Sequence, residues 1–412
     1  MLKMRKMKAS GIEWIGEIPE GWEVVPVKRL CTMQAGKNLT SEQIAPEGTY
    51  PVYGGNGIRG FFSDYNCDGQ FLTVGRQGAL CGNVHKINGK VWATEHAVIT
   101  TPSSYTILDF LYYLLIGMDL NQYVSSTAAQ PGLAVGTLLN LKTCYPCSTL
   151  EQTQISNYLN AKCSEIDVML TKTRSSIEEY KKLKQTVITQ AVTKGVRGER
   201  EMKDSGVEWI GEIPVDWEIS RIKYVSIFEP SCDFRKLTPE TIITYSPMEC
   251  IKNGTFERRT SLYGNLAHTL TPFQNGDIVM AKVTPCFENG NIAIMNELQS
   301  GYGLGSSELF VFRPQNINTR YLFYWLQNKL FVHQACATMT GTGGLKRISP
   351  SFVKNCNIHY PSTAEQAQIA VYLDTKCAEI DKLIAKKEQL VKELEGYKKS
   401  LIYEVVTGKR EV

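Results

Sequence analysis

Histidine is scarce in this chain, five residues in 412, and no Ser/His/Asp or Cys/His arrangement recurs between its two halves. Nucleophile–base catalysis therefore lacks its usual parts. A Walker A loop is missing too. Gly301-Tyr-Gly303-Leu-Gly305 is glycine-rich, but it leads into the strand-like stretch Ser306–Phe312 and not into a helix, which excludes a dinucleotide fingerprint. No Asn/Asp-Pro-Pro-aromatic tetrapeptide, the signature expected of an adenine methyltransferase, is present. These absences point away from catalysis by this chain. No apolar run reaches transmembrane length, and the basic start MLKMRKMKAS is not followed by an apolar h-region, which argues against a signal peptide. Cysteine is not lacking: twelve are scattered through strand-like and helix-like segments, as suits reduced thiols in the cytoplasm. Cys144-Tyr-Pro-Cys147 is the only CxxC, and the matching place in the second half reads His359 to Ser362, so these read as structural thiols and not as a metal site.

A large charge surplus is also missing. The net charge is +4, and it is unevenly spread. Residues 11–146 carry 8 Lys+Arg against 11 Asp+Glu, and residues 206–360 carry 14 against 13. A lone DNA-binding domain usually shows a basic surplus. The balance argues against a stand-alone DNA binder and is compatible with one whose partner subunits supply most of the phosphate contacts.

What the chain does have is duplication. Residues 10–22, SGIEWIGEIPEGW, return as SGVEWIGEIPVDW at 205–217. YPCSTLEQTQISNYLNAKCSEID (145–167) returns as YPSTAEQAQIAVYLDTKCAEID (360–381), and from Glu151/Glu365 to Thr193/Thr407 the copies align without a gap. The C-terminal VVTGKREV resembles AVTKGVRGERE, the stretch that leads into the second WIGEIP. The organisation is therefore cyclic, which predicts neighbouring termini. A pseudo-two-fold protein suits a two-fold partner, and duplex DNA is the commonest.

Ser148-x-x-Glu151 and Ser362-x-x-Glu365 have capping-box spacing just after a Tyr-Pro, so each should start a helix. Glu151, Gln152, Glu365 and Gln366 read as helix caps or as contacts to a partner protein. Apolar residues then recur in steps of three and four: Ile155, Leu159, Ile166, Leu170, Ile177, Leu183, Val187 and Ala191 in the first, and Ile369, Leu373, Ile380, Leu383, Ile384, Leu390, Val391, Leu394, Leu401 and Val405 in the second. Each helix runs about 40 residues, roughly 60 Å. It could pair with another chain. The cyclic organisation favours pairing of the two helices with each other, antiparallel. The intervening regions are rich in strands and Gly/Asn turns, with short helices expected at 107–117 and 319–332. The fold class expected is α+β: two pseudo-symmetric α/β domains joined by two long helices. The boundaries are a basic arm at 1–10, a first domain at 11–147, a central helical spacer at 148–204, a second domain at 205–361 and a C-terminal helical spacer at 362–412.

Asn56, Arg59, Arg76 and Gln77 sit in Gly-bounded loops of the first half, as do Lys282, Thr284, Asn289, Asn291, Thr342, Lys346 and Arg347 in the second. Arg, Asn and Gln are the side chains that read guanine and adenine bidentately in the major groove. These are the candidate DNA contacts.

The two WIGEIP…W openings, the blocks YGGNGIRGFF…GRQGA and NGDIVMAKVTPCFENG…GSSE, and the two E-Q-x-Q-I helix starts together resemble the specificity subunits of type I restriction-modification systems, over essentially the whole chain. The resemblance implies two target-recognition domains, each reading half of a bipartite site in double-stranded DNA, and a coiled-coil spacer. It also implies two modification subunits that bind S-adenosylmethionine, with no cofactor in this chain, and two restriction subunits that can join them in the cytoplasm, away from any membrane. The alternative is a coiled-coil scaffold with two ligand-binding domains and no nucleic-acid role.

Overall fold

A computed structural model describes residues 5–77, 81–124, 132–252, 254–267, 269–342 and 344–412. Gly78 and Ala79 of the GRQGA block lie outside these, as do residues 125–131. The chain divides into two compact units, one formed by Met1–Arg174 with Glu388–Val412, the other by Ser175–Lys387. Both ends of the chain thus belong to one unit. There the Tyr403 hydroxyl donates to the Trp14 carbonyl at 2.8 Å, so the last helix turns pack on the first WIGEIP.

The first unit is built on an antiparallel sheet with strand order Cys31–Ala35, Ala97–Pro102, Gln70–Gly75, Val84–Asn88. A smaller sheet joins Gly57–Phe62, Tyr50–Gly54 and Trp92–Ala93. The strand Gln70–Gly75 is buried at every position but the first, which is why it reads as a continuous apolar run and not as an alternation. The helix Leu108–Gly117 packs on this sheet and buries Phe110, Leu111 and Leu114 with Trp22 and Ile18.

The second unit repeats the plan. Its core sheet orders Ser226–Phe228, Leu309–Pro314, Ile278–Ala281 and Ile292–Ile294, all antiparallel. A second sheet, Arg259–Leu262, Ile242–Ser246, Tyr302–Gly305 and Thr271–Gln274, includes one parallel pairing. The helix expected at 319–332 is two helices, Thr319–Trp325 and Lys329–Ala337. Asn328 makes the break: its carboxamide accepts from Phe331 N at 3.0 Å and starts a new helix.

The long helices span Thr149–Lys194 and Thr363–Val406. Within each unit, segments of both run side by side and antiparallel. In the first, Lys398 bonds Asp167 at 2.7 Å; in the second, Lys184 bonds Asp381 at 2.6 Å. These are the same two positions of the repeat, exchanged between the helices. Ile155, Leu159, Ile166 and Leu170 are buried with Leu401 and Val405, and Ile188 and Val192 with Ile369 and Leu373. Three residues expected in the buried stripe, Leu183, Leu383 and Leu390, are instead 40–47% exposed. Two helices bury only one face of each other, and these leucines flank it.

Candidate nucleic-acid interface

The repeated motifs meet at two equivalent joints. In the first unit the Trp22 indole donates to Glu151 at 3.0 Å, and Arg5 also bonds Glu151 while lying over the Trp22 ring. In the second, Trp217 donates to Glu365 at 3.1 Å, Arg200 bonds Glu365 at 2.5 Å, and Arg200 lies over the Trp217 ring. A glycine with positive φ ends each long helix against this group. A Cβ at Gly195 would lie 3.3 Å from Trp217, and one at Gly408 3.3 Å from Trp22. Gln152 donates to the Pro146 carbonyl and accepts from Ile107 N; Gln366 does the same with Pro361 and Asn318. The capping box is half formed. Ser148 and Ser362 accept from Glu151 N and Glu365 N, but the glutamate side chains turn to tryptophan and arginine. Gln152, Glu365 and Gln366 are at most 1% exposed. The joint explains why WIGEIP…W and E-Q recur together: they are two sides of one contact.

The loop residues gather at a second recurring place, a corner made of three segments. In the second unit Lys282 N donates to Glu308 O at 3.0 Å, Ile348 N donates to Lys282 O at 2.9 Å, and Val283 bridges Arg347. Thr284 N donates to Lys346 O at 2.9 Å, and Thr284 Oγ1 accepts from Lys346 N at 2.9 Å. Arg347 grips Glu308 with both arms, at 2.8 and 2.9 Å. The Arg347 guanidinium, with Lys282 near it, holds the Glu308 carboxyl below the ordinary range against the opposing effect of burial. Lys282, Thr284, Lys346 and Arg347 are thus brought together. Asn289 and Asn291 lie on the turn that follows the same strand, closed by Asn289 N to Pro285 O at 3.0 Å and Asn291 N to Cys286 O at 3.0 Å. Thr342 is exposed on the loop before Lys346.

The first unit has the same corner. Arg76 N donates to His96 O at 2.9 Å, Leu133 N donates to Arg76 O at 2.9 Å, and Gln77 bridges Gly132. The loop carrying Asn56 leans on it: a Cβ at Gly55 would lie 2.9 Å from the Gln77 carbonyl and 3.4 Å from that of His96. Asn83 donates to Asn56 at 2.8 Å. Arg59 is exposed, with its alkyl stem over Gly54. His96 and Glu308 were not among the sequence candidates. A Glu inside GSSE and a His inside TEHA carry no signal until the corner brings them beside Arg76 and Arg347. Of the CxxC pair, Cys144 is buried and Cys147 exposed.

The fold and the two corners define a duplicated α+β protein, with one backbone frame presenting two different side-chain sets. A family model of the type I restriction modification DNA specificity domain matches twice, over residues 19–179 and 214–393, and the chain belongs to this family. The EcoprrI type I specificity subunit of Escherichia coli is 44% identical over 121 residues, 28% of this chain and 30% of that protein. The EcoEI specificity subunit, also of Escherichia coli, is 32% identical over 163 residues, 38% and 27% of the two chains. The chain therefore spans under a third of these relatives' length. The MjaVIII specificity subunit of Methanocaldococcus jannaschii is 24% identical over 419 residues, covering 95% of this chain and 93% of the other. A chain from a solved structure of a type I R-M system, concerned with complex assembly and conformational transition, shares the fold at TM-score 0.68 and 14% identity, covering 95% of this chain and 99% of that one.

Proposed function

We propose that this chain is the DNA-specificity subunit of a type I restriction-modification complex, each unit reading one half of a bipartite duplex site. The observation that carries the reading is the corner: one backbone frame built twice, with Arg76, Gln77 and His96 on the first and Lys282, Glu308 and Arg347 on the second. One frame with two side-chain sets is what two different half-sites require. In this reading Asn56, Arg59, Arg76 and Gln77 contact the first half-site. Lys282, Thr284, Asn289, Asn291, Thr342, Lys346 and Arg347 contact the second.

The chain itself is non-catalytic. Methyl transfer and its S-adenosylmethionine belong to two modification subunits, to which two restriction subunits can add, in the cytoplasm. Two features of the helices support paired docking. Exposed apolar side chains recur at equivalent positions of the repeat, Met169 with Leu383 and Leu183 with Tyr397. Glu151, Gln152, Glu365 and Gln366, engaged at the joints, hold up the surface a partner meets. The modest charge fits partners that close around the DNA and bring positive charge of their own.

The test is a shift assay of the chain with its modification subunit on a randomised duplex pool, followed by sequencing of the retained DNA. A two-part motif separated by a spacer of fixed length is expected. Retention without sequence preference would contradict the reading.

A further inference from the structure

The equivalence of the two corners pairs His96 with Glu308 and Gly132 with Arg347. In each unit the first residue of the pair accepts the backbone bond from the basic strand-end residue, Arg76 or Lys282. The backbone frame is the same, and the chemistry on it is not.

In the second unit the Glu308–Arg347 pair does not hold the loop in place. Backbone bonds do that: Thr340 N to Arg347 O at 3.0 Å, Arg347 N to Thr340 O at 2.8 Å, and the two Thr284–Lys346 bonds. The pair is half exposed on the arginine side and 28% exposed on the glutamate side. An ion pair in that setting adds little to stability. A carboxylate on a face offered to DNA is repelled by phosphates unless it accepts from a base. Cytosine N4 and adenine N6 offer that donor in the major groove, but only cytosine's partner, guanine, also offers O6 and N7 to an arginine fork. Glu308 and Arg347, already side by side, match the two edges of one C·G pair. In the first unit the arginine is replaced by Gly132 and the carboxylate by an imidazole, whose Nε2 lies 3.1 Å from Glu95. His96 Nδ1 and Glu95 Oε2 are shielded and have no partner among the described residues.

We propose that this corner position, His96 in the first unit and Glu308 in the second, discriminates between bases, with Glu308 and Arg347 together reading one C·G pair. The assignment rests on the DNA-specificity reading and adds to it which residues choose the base.

The experiment uses the full chain assembled with its modification subunit, methylating a randomised duplex pool that is then sequenced. Glu308→Gln keeps the shape and removes the charge. It is expected to reduce the preference for C·G at one position of one half-site by roughly tenfold to a hundredfold, the size of one base contact, and to leave the other half-site unchanged. His96→Gln is expected to change one position of the opposite half-site. Should Glu308→Gln fail to assemble, Arg347→Lys keeps the positive charge, loses the fork and tests the same position. An unchanged motif, or uniform weakening on every sequence, overturns the assignment. A wild-type complex that yields no motif overturns the DNA-specificity reading itself.

Discussion

Glu151 and Glu365 occupy the same place in the repeat and each bonds one arginine and one tryptophan, yet they differ in exposure. The Glu151 side chain is 29% exposed and that of Glu365 1%. Removing one partner of a buried ion pair leaves the other charge stranded. Glu365→Ala is therefore expected to cost roughly 3 kcal/mol, near the lower end for a broken buried pair because Asp216 still bonds Arg200. Glu151→Ala should cost clearly less, and denaturant unfolding of both variants compares them. Equal losses would contradict this account of the joints. A pH effect belongs to His359. It is fully buried, its Nδ1 accepts from the Trp325 indole at 3.0 Å, and burial pushes the imidazole down to about 4. An unfolded histidine titrates at about 6.5, so between these values the unfolded chain holds the extra proton. Stability should fall as pH drops from about 6.5 towards 4, and this group should have no effect above that window. Unfolding midpoints at pH 7 and pH 5 should differ more for the wild type than for His359→Gln; equal differences would exclude this role. Changing both Lys346 and Arg347 to Ala should weaken duplex binding and leave subunit assembly intact. Loss of a base contact costs about 1–3 kcal/mol and relaxes one position. Unchanged affinity and specificity in a shift assay would make them ordinary surface residues. The placing of Arg76, Gln77, Lys282 and Arg347 in Gly-bounded loops was legible in the sequence, from glycine spacing beside polar side chains. Glu308 and His96 were not, because their neighbours come from segments dozens of residues away.

The long helices were the most legible elements: a Tyr-Pro stop, a serine cap and a gap-free repeat fix their starts to within a residue. The sequence pattern overstated their burial at Leu183, Leu383 and Leu390, since periodicity marks an apolar face but not how much of it a single partner helix covers. It also missed the break at Asn328, where a side-chain cap starts a new helix at the polar Gln327-Asn328-Lys329 between two apolar runs. The paired positions Lys184–Asp381 and Lys398–Asp167 fix the register of the helices in each unit. Four residues inserted in one helix alone would shift one of these pairs by a turn. Matching four-residue insertions, between Thr173 and Ser176 and between Lys387 and Leu390, preserve both. Each adds about 6 Å at 1.5 Å per residue. With a rise of about 3.4 Å per base pair, the recognised half-sites should move apart by about one to two base pairs with their sequences unchanged. Methylation of duplexes with varied spacers reads this directly. Full activity on the original spacer would mean that the helices do not set the distance.

Along the whole chain the order is a cyclic repeat: joint, α+β region, helix, twice over, with the two termini in one unit. Sequence similarity is high at the joints and low between them, which is how a scaffold can stay fixed while its two reading surfaces diverge. In the proposed function the two surfaces are expected to read independently. This is tested most directly by exchanging residues 219–358 for the equivalent region of a relative with a different site, assembling the chimera with the modification subunit, and mapping methylated bases on genomic DNA. The account predicts a motif with one half-site replaced and the other half-site and the spacer retained. A chimera that methylates at two altered half-sites, or at the original motif, would contradict it.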